Sequence, residues 1–175
     1  MLEIIDESHY SPASMDNARK YSKEYSLSNQ FEPLTKYGII LSSHGEIKQS
    51  IILIAHGWGG HVHEHTALVK DDVLYLAIGN QVCGLSLPKL DLSWYRQVDT
   101  VACFGVYYSP EYHCLISHGE LEIARLNLAG DVVWTVSGKD IFSEGFDLYS
   151  VHIEVVDFNR EKYRIEILDG KIKLI

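Results

Sequence analysis

Two stretches of this 175-residue sequence carry residue types suited to chemistry. In the first, the apolar run Ile51-Ile52-Leu53-Ile54-Ala55 leads into His56-Gly57-Trp58-Gly59-Gly60. A buried strand that ends in such a glycine cluster can turn backbone N–H groups toward a developing oxyanion. In the second, His61, His63 and His65 alternate with Val62 and Glu64. On a strand the three imidazoles point to one side, spaced to share a divalent metal, zinc or nickel. Glu64 follows His63, and Glu120 follows His118 by two residues. If the turn at 118–120 folds beside 61–65, a His/Glu cluster results, fit for metal coordination or acid–base work. The same residues also read as solvated side chains on turns. Trp58 differs from both groups, because an aromatic on a glycine-rich loop is suited to anchoring a partner.

The segment ending in HGWGG resembles the oxyanion-hole segment of α/β-hydrolases. That resemblance implies a nucleophile elbow downstream, and Leu115-Ile116-Ser117-His118-Gly119 is the nearest counterpart, with Leu115 where the family has a small residue. His152 would then be the histidine of the triad, with Asp140 or Asp147 as the acid. Gly57, His63 and His65 also resemble the opening of a cupin metal motif, with Val69 and Lys70 standing where that family has a glutamate.

The elements that must position these residues are strands. Gly38 to Leu41 and Ser50 to Ala55 read as a hairpin turning at Ser43-His44-Gly45-Glu46. Val73 to Ile78 is a buried-type strand and Gly79-Asn80 a turn. Val82 to Leu87 alternates, with Cys83, Leu85 and Leu87 on one face. The plan then repeats. His113 to Ser117 is a strand, His118 to Glu120 a turn, and Leu121 to Leu128 a strand whose apolar face switches parity near Ala124, which predicts a bulge. Trp134 follows Trp94 by forty residues, and both are expected in the core. A third, degenerate copy begins at Val151. Units of about forty residues with several short strands resemble the blades of quinoprotein-like and WD40-like β-propellers. The fold expected is therefore mainly β: tandem antiparallel strand units forming a partial or small propeller-like array or a β-sandwich. Residues 1–36 are expected as an N-terminal arm or short helix with Ser14 as its N-cap, and residues 37–175 as a single β domain.

Composition narrows the function classes. Hydrophobic residues make up 46% and charged residues 22% of the chain, which is enough to bury a core. The formal net charge of -9 repels a phosphate backbone, so nucleic acid is not an expected partner, whereas a basic protein is. No apolar run approaches the roughly 20 residues that span a bilayer, so no membrane association is expected. Three cysteines without a CxxC pair point to free thiols in the cytoplasm rather than to a disulfide framework or a zinc ribbon. The function expected is a non-enzymatic protein-interaction domain, one version being a bacterial immunity-type or regulatory binding protein. It would bind through Trp58, Glu64, His118 and Glu120. The alternative is a metal-dependent or α/β-hydrolase-like enzyme built on the loop at 56–65.

Overall fold

A computed structural model describes residues 1–29 and 34–175, and among them every regular element is a β-strand. The strands form four sheets of four. The first sheet comprises β1 (Leu2–Asp6), β2 (Lys23–Ser26), β3 (Leu34–Ser43) and β4 (Glu46–His56). The second comprises β5 (Ala67–Lys70), β6 (Val73–Ile78), β7 (Gln81–Ser86) and β8 (Asp91–Gln97). The third comprises β9 (Cys103–Ser109), β10 (Cys114–Gly119), β11 (Glu122–Leu126) and β12 (Val132–Ser137). The fourth comprises β13 (Gly145–Leu148), β14 (His152–Val156), β15 (Lys162–Glu166) and β16 (Ile172–Leu174). The last three sheets are meanders in chain order, each strand antiparallel to the next. The first has the order β1-β3-β4-β2, with β2 parallel to β4.

Each sheet packs face to face on the next. One core cluster joins the first and second sheets through Ile39, Ile51 and Leu53 against Leu74, Leu76 and Leu85. Another joins the second and third through Tyr75, Ala77 and Val82 against Val106, Leu115 and Ala124. A further cluster joins the third and fourth through Cys114, Ile116 and Ile123 against Ile153, Val155 and Ile165. The middle strands therefore bury both faces, and each fully buried Ile or Leu contributes on the order of 1.5–3 kcal/mol. This explains the parity switch in β11: Ile123 faces the fourth sheet while Ala124 and Leu126 face the second. The register does shift between Arg125 and Leu126, but the extra residue is Val133 on β12, so the bulge expected to re-aim β11 is not what turns its apolar face.

The repeat also fixes the two tryptophans. Trp94 on β8 lies against Gly130 of the third sheet, and Trp134 on β12 lies against Gly170 of the fourth. Both glycines have φ in the left-handed region. A Cβ on Gly130 would sit 2.4 Å from the Trp94 ring, and one on Gly170 2.9 Å from that of Trp134. Trp134 Nε1–H donates to the Ile167 carbonyl at 3.0 Å. Both tryptophans are half-buried between sheets, outward of the innermost core.

The N-terminal stretch differs from the arm or short helix expected. It supplies β1 and β2 to the first sheet, and its middle, residues 7–22, holds only turns and bends. Ser14 Oγ accepts the Asp16 N–H at 3.2 Å, so it caps a turn. The stretch makes turns because its apolar stripe is too thin to support a helix. It crosses the outer face of the first sheet, where Tyr10 and Tyr21 cover Ile52 and Ile54.

Candidate functional site

The loops that run from one sheet to the next and the β6–β7, β10–β11 and β14–β15 turns are stitched together at one end of the molecule. Asn80 N–H donates to His56 O at 2.8 Å, Trp58 N–H to Val101 O at 3.1 Å and Glu120 N–H to Ala102 O at 2.9 Å. Phe142 N–H donates to Glu120 O at 2.6 Å, and Phe158 N–H to Ile141 O at 2.8 Å. Asp99 organises the centre of this end. It is 1% exposed. Its Oδ1 accepts from the N–H groups of Val101 and Ala102, and its Oδ2 from those of Leu121 and Glu122. A buried carboxylate satisfied by four backbone donors locks the crossing loop at 98–102 to the neighbouring turn.

The loop at 57–66 is not a strand, so His61, His63 and His65 do not alternate along one face as expected. Side chains from β3 hold it instead. Thr35 Oγ1–H donates to Gly57 O and Tyr37 O–H to Gly60 O, each at 2.8 Å. Between these pins Trp58 stands 66% exposed. The glycines let the chain approach β3 closely: a Cβ on Gly59 would meet the Thr35 side chain at 2.3 Å.

Beyond the pins the loop joins a continuous run of rings. His63 Nε2–H donates to Phe104 O at 2.8 Å, and its ring lies edge-on to His65 at 6.1 Å between centroids. His65 lies 4.5 Å from Tyr107, Tyr107 stacks on Phe146 at 4.4 Å, and Phe146 stacks on His118 at 4.6 Å. Phe104 closes on His118 edge-to-face at 5.3 Å. His118 Nε2–H donates to the Phe142 carbonyl at 3.0 Å. Burial pushes the His118 pKa down to about 4 against the pull of that hydrogen bond, and His63 and His65 depress it further.

The structure thus brings His63, His65 and His118 into one aromatic run. It leaves His61 and Glu64 exposed on the loop. Glu64 comes within 3.6 Å of the His65 ring. Glu120 joins this end through its backbone. Among the described residues no three His, Cys, Asp or Glu side chains converge to hold a metal ion. The α/β-hydrolase geometry is not met either. Ser117 lies mid-strand on β10 opposite Val106 and Ala124, is 0% exposed, and its hydroxyl has no hydrogen-bond partner among the described residues. An elbow needs a sharp strand-to-helix turn, and no helix is present among the described residues. Asp140 bonds Asn159, and His152 stacks on Tyr149, so neither is engaged with Ser117.

Asp99, Tyr107, Phe142 and Phe146 belong to no motif in the sequence. Asp99 did leave a signal: an acid between Val98 and Val101-Ala102, in a segment otherwise apolar enough to be buried.

No family model matches this sequence, and no curated protein is similar to it. Solved structures resemble it in fold. BamB from Moraxella catarrhalis matches with a TM-score of 0.57 at 11% identity, over 79% of this chain and 42% of that one. The RRP9 WD40 repeats match with a TM-score of 0.52 at 12% identity, over 65% and 39%. The Neurospora crassa Pan2 WD40 domain matches with a TM-score of 0.53 at 10% identity, over 63% and 37%. The chain therefore has a propeller-like array of four-stranded sheets and spans about two fifths of the length of the structures it resembles.

Proposed function

We propose that this chain is a non-enzymatic protein-interaction module that docks its partner on the loop end around Trp58. The observation that supports this best is a large aromatic side chain held 66% exposed by a loop whose backbone is bonded on three sides, to Thr35, Tyr37 and Val101. Such an anchor is rigid before binding, so little conformational entropy is lost when a partner covers it. Folds of the propeller kind commonly serve as interaction scaffolds, which supports the same reading by analogy. The net charge of -9 favours a basic partner, as in an immunity-type protein that occludes a basic enzyme. The buried thiols Cys83, Cys103 and Cys114 suit a reducing cytoplasm. The test is partner capture from the native host with wild type and Trp58→Ala side by side. A stable partner held by wild type and weakened about tenfold or more by Trp58→Ala, with the melting temperature unchanged, is the expected result. A partner indifferent to Trp58, or no stable partner at all, counts against the proposal.

A further inference from the structure

At the same loop end as Trp58 lies a pocket walled by Thr100, Leu121, Glu122, Ser137, Lys139 and Asp140. The two are linked through the backbone: the Trp58 N–H bonds to Val101, the residue after Thr100, and Asp99 ties Val101 to Leu121 and Glu122. The charged groups of the wall are not equivalent. Lys139 is held by Glu161 at 3.1 Å. Asp140 accepts from Asn159 Nδ2 at 2.6 Å and from the Ile141 N–H at 2.8 Å. Among the described residues the Glu122 carboxylate has no hydrogen-bond or ion-pair partner, while its backbone N–H donates to Asp99. Glu122 is partly buried, and that burial raises its pKa, with the Asp99 carboxylate adding to the effect. A half-buried carboxylate with unanswered lone pairs, in the field of a second carboxylate, is relieved by a cation.

We propose that this pocket receives an arginine side chain of the protein partner, with Glu122 as its counter-ion. The inference rests on the interaction reading above and names the chemistry of that same surface. Arginine fits better than lysine because Glu122 shares the wall with two hydroxyl residues, Thr100 and Ser137, that can accept as well. A planar guanidinium with five donors serves several such acceptors at once, whereas an ammonium is a compact point charge. Trp58 then supplies the apolar anchor and Glu122 the charged contact at the same loop end.

The experiment is an NMR titration of the full chain with Nα-acetyl-arginine amide, read at the backbone amides. Saturable shifts confined to Thr100, Leu121, Glu122 and residues 137–140 are expected. The neutral isostere Nα-acetyl-citrulline amide should give none, and Glu122→Gln should weaken the arginine probe about tenfold or more. Exchanging an exposed acid far from the pocket, Glu111→Gln, should leave the binding constant unchanged. Equal binding of citrulline, equal binding of Nα-acetyl-lysine amide, equal weakening by Glu111→Gln, or no shifts at these amides would overturn the assignment. The two proposals separate cleanly. A captured partner lost with Trp58→Ala and kept with Glu122→Gln removes the arginine pocket and leaves the interaction module standing.

Discussion

His118 and Ser117 sit side by side on β10, and each makes a prediction of its own. His118 is neutral in the fold, its pKa pushed down to about 4 from an ordinary 6.5. As pH falls below about 6.5 the unfolded chain takes up a proton that the folded chain refuses until about pH 4. Stability therefore falls through that window, by at most about 1.4 kcal/mol per pH unit for this group. His118→Gln, which keeps a donor for the Phe142 carbonyl, should flatten the slope in urea unfolding followed from neutral to acid pH. An unchanged slope would assign the acid sensitivity to other groups. Ser117 is simpler. Its hydroxyl is fully buried and has no hydrogen-bond partner among the described residues, and such a group costs about 1–3 kcal/mol. Ser117→Ala should leave the melting temperature unchanged or raise it. A loss of stability would mean the hydroxyl has a bonding role. Neither outcome could be reached from the sequence, where Ser117 sits in a run that resembles a catalytic elbow. The resemblance is local, and burial is decided by the sheets on either side.

At the scale of the element, the repeat was legible where strands are buried on both faces. Val73 to Ile78 stands out because two neighbouring sheets impose apolar residues on it, and Ile153 and Val155 stand out by alternation because the third sheet covers one face of β14. The strands that open each unit left no such trace. β5 and β13 are four residues long and β9 contains Gly105, and all three lie at a sheet edge with mixed exposure, so no clean alternation marks them. Those same strands, or the loop leading into them, place His65, Tyr107 and Phe146, which is why the aromatic run leaves no periodic trace. The forty-residue spacing of Trp94 and Trp134 was visible, but its meaning lay in a second spacing: Gly130 and Gly170 are also forty apart, and each receives one indole. Gly130→Ala should cost about 1–3 kcal/mol, since it adds both left-handed strain and a clash with Trp94. The melting temperature reads this directly, and an unaffected variant would mean that the indole is free to move away.

At the scale of the molecule, the series of packed faces runs from the first sheet to the fourth, and its two outer faces are finished in different ways. The first sheet has an apolar outer face, and residues 7–22 cover it. Tyr21 lies directly on Gly38, where a Cβ would come within 1.9 Å of its hydroxyl, which itself donates to Glu7 at 2.6 Å. The fourth sheet has a charged outer face. Asp147, Glu154, Arg164 and Lys173 lie opposite one another across its four strands, and Arg164 pairs with Glu154 at 2.8 Å. A row of charges cannot be buried against another sheet without paying heavy desolvation, which is how repeat arrays limit further stacking. Replacing the pair with apolar residues, Glu154→Leu with Arg164→Leu, should turn this face into a docking surface for a sheet of another copy. Light scattering should then detect concentration-dependent association that wild type lacks. The matched double variant Glu46→Leu with Lys48→Leu removes an exposed ion pair from the hairpin between β3 and β4 instead, and it should associate far less. If both variants associate alike, general surface hydrophobicity explains the effect and the charged row has no special part in ending the stack.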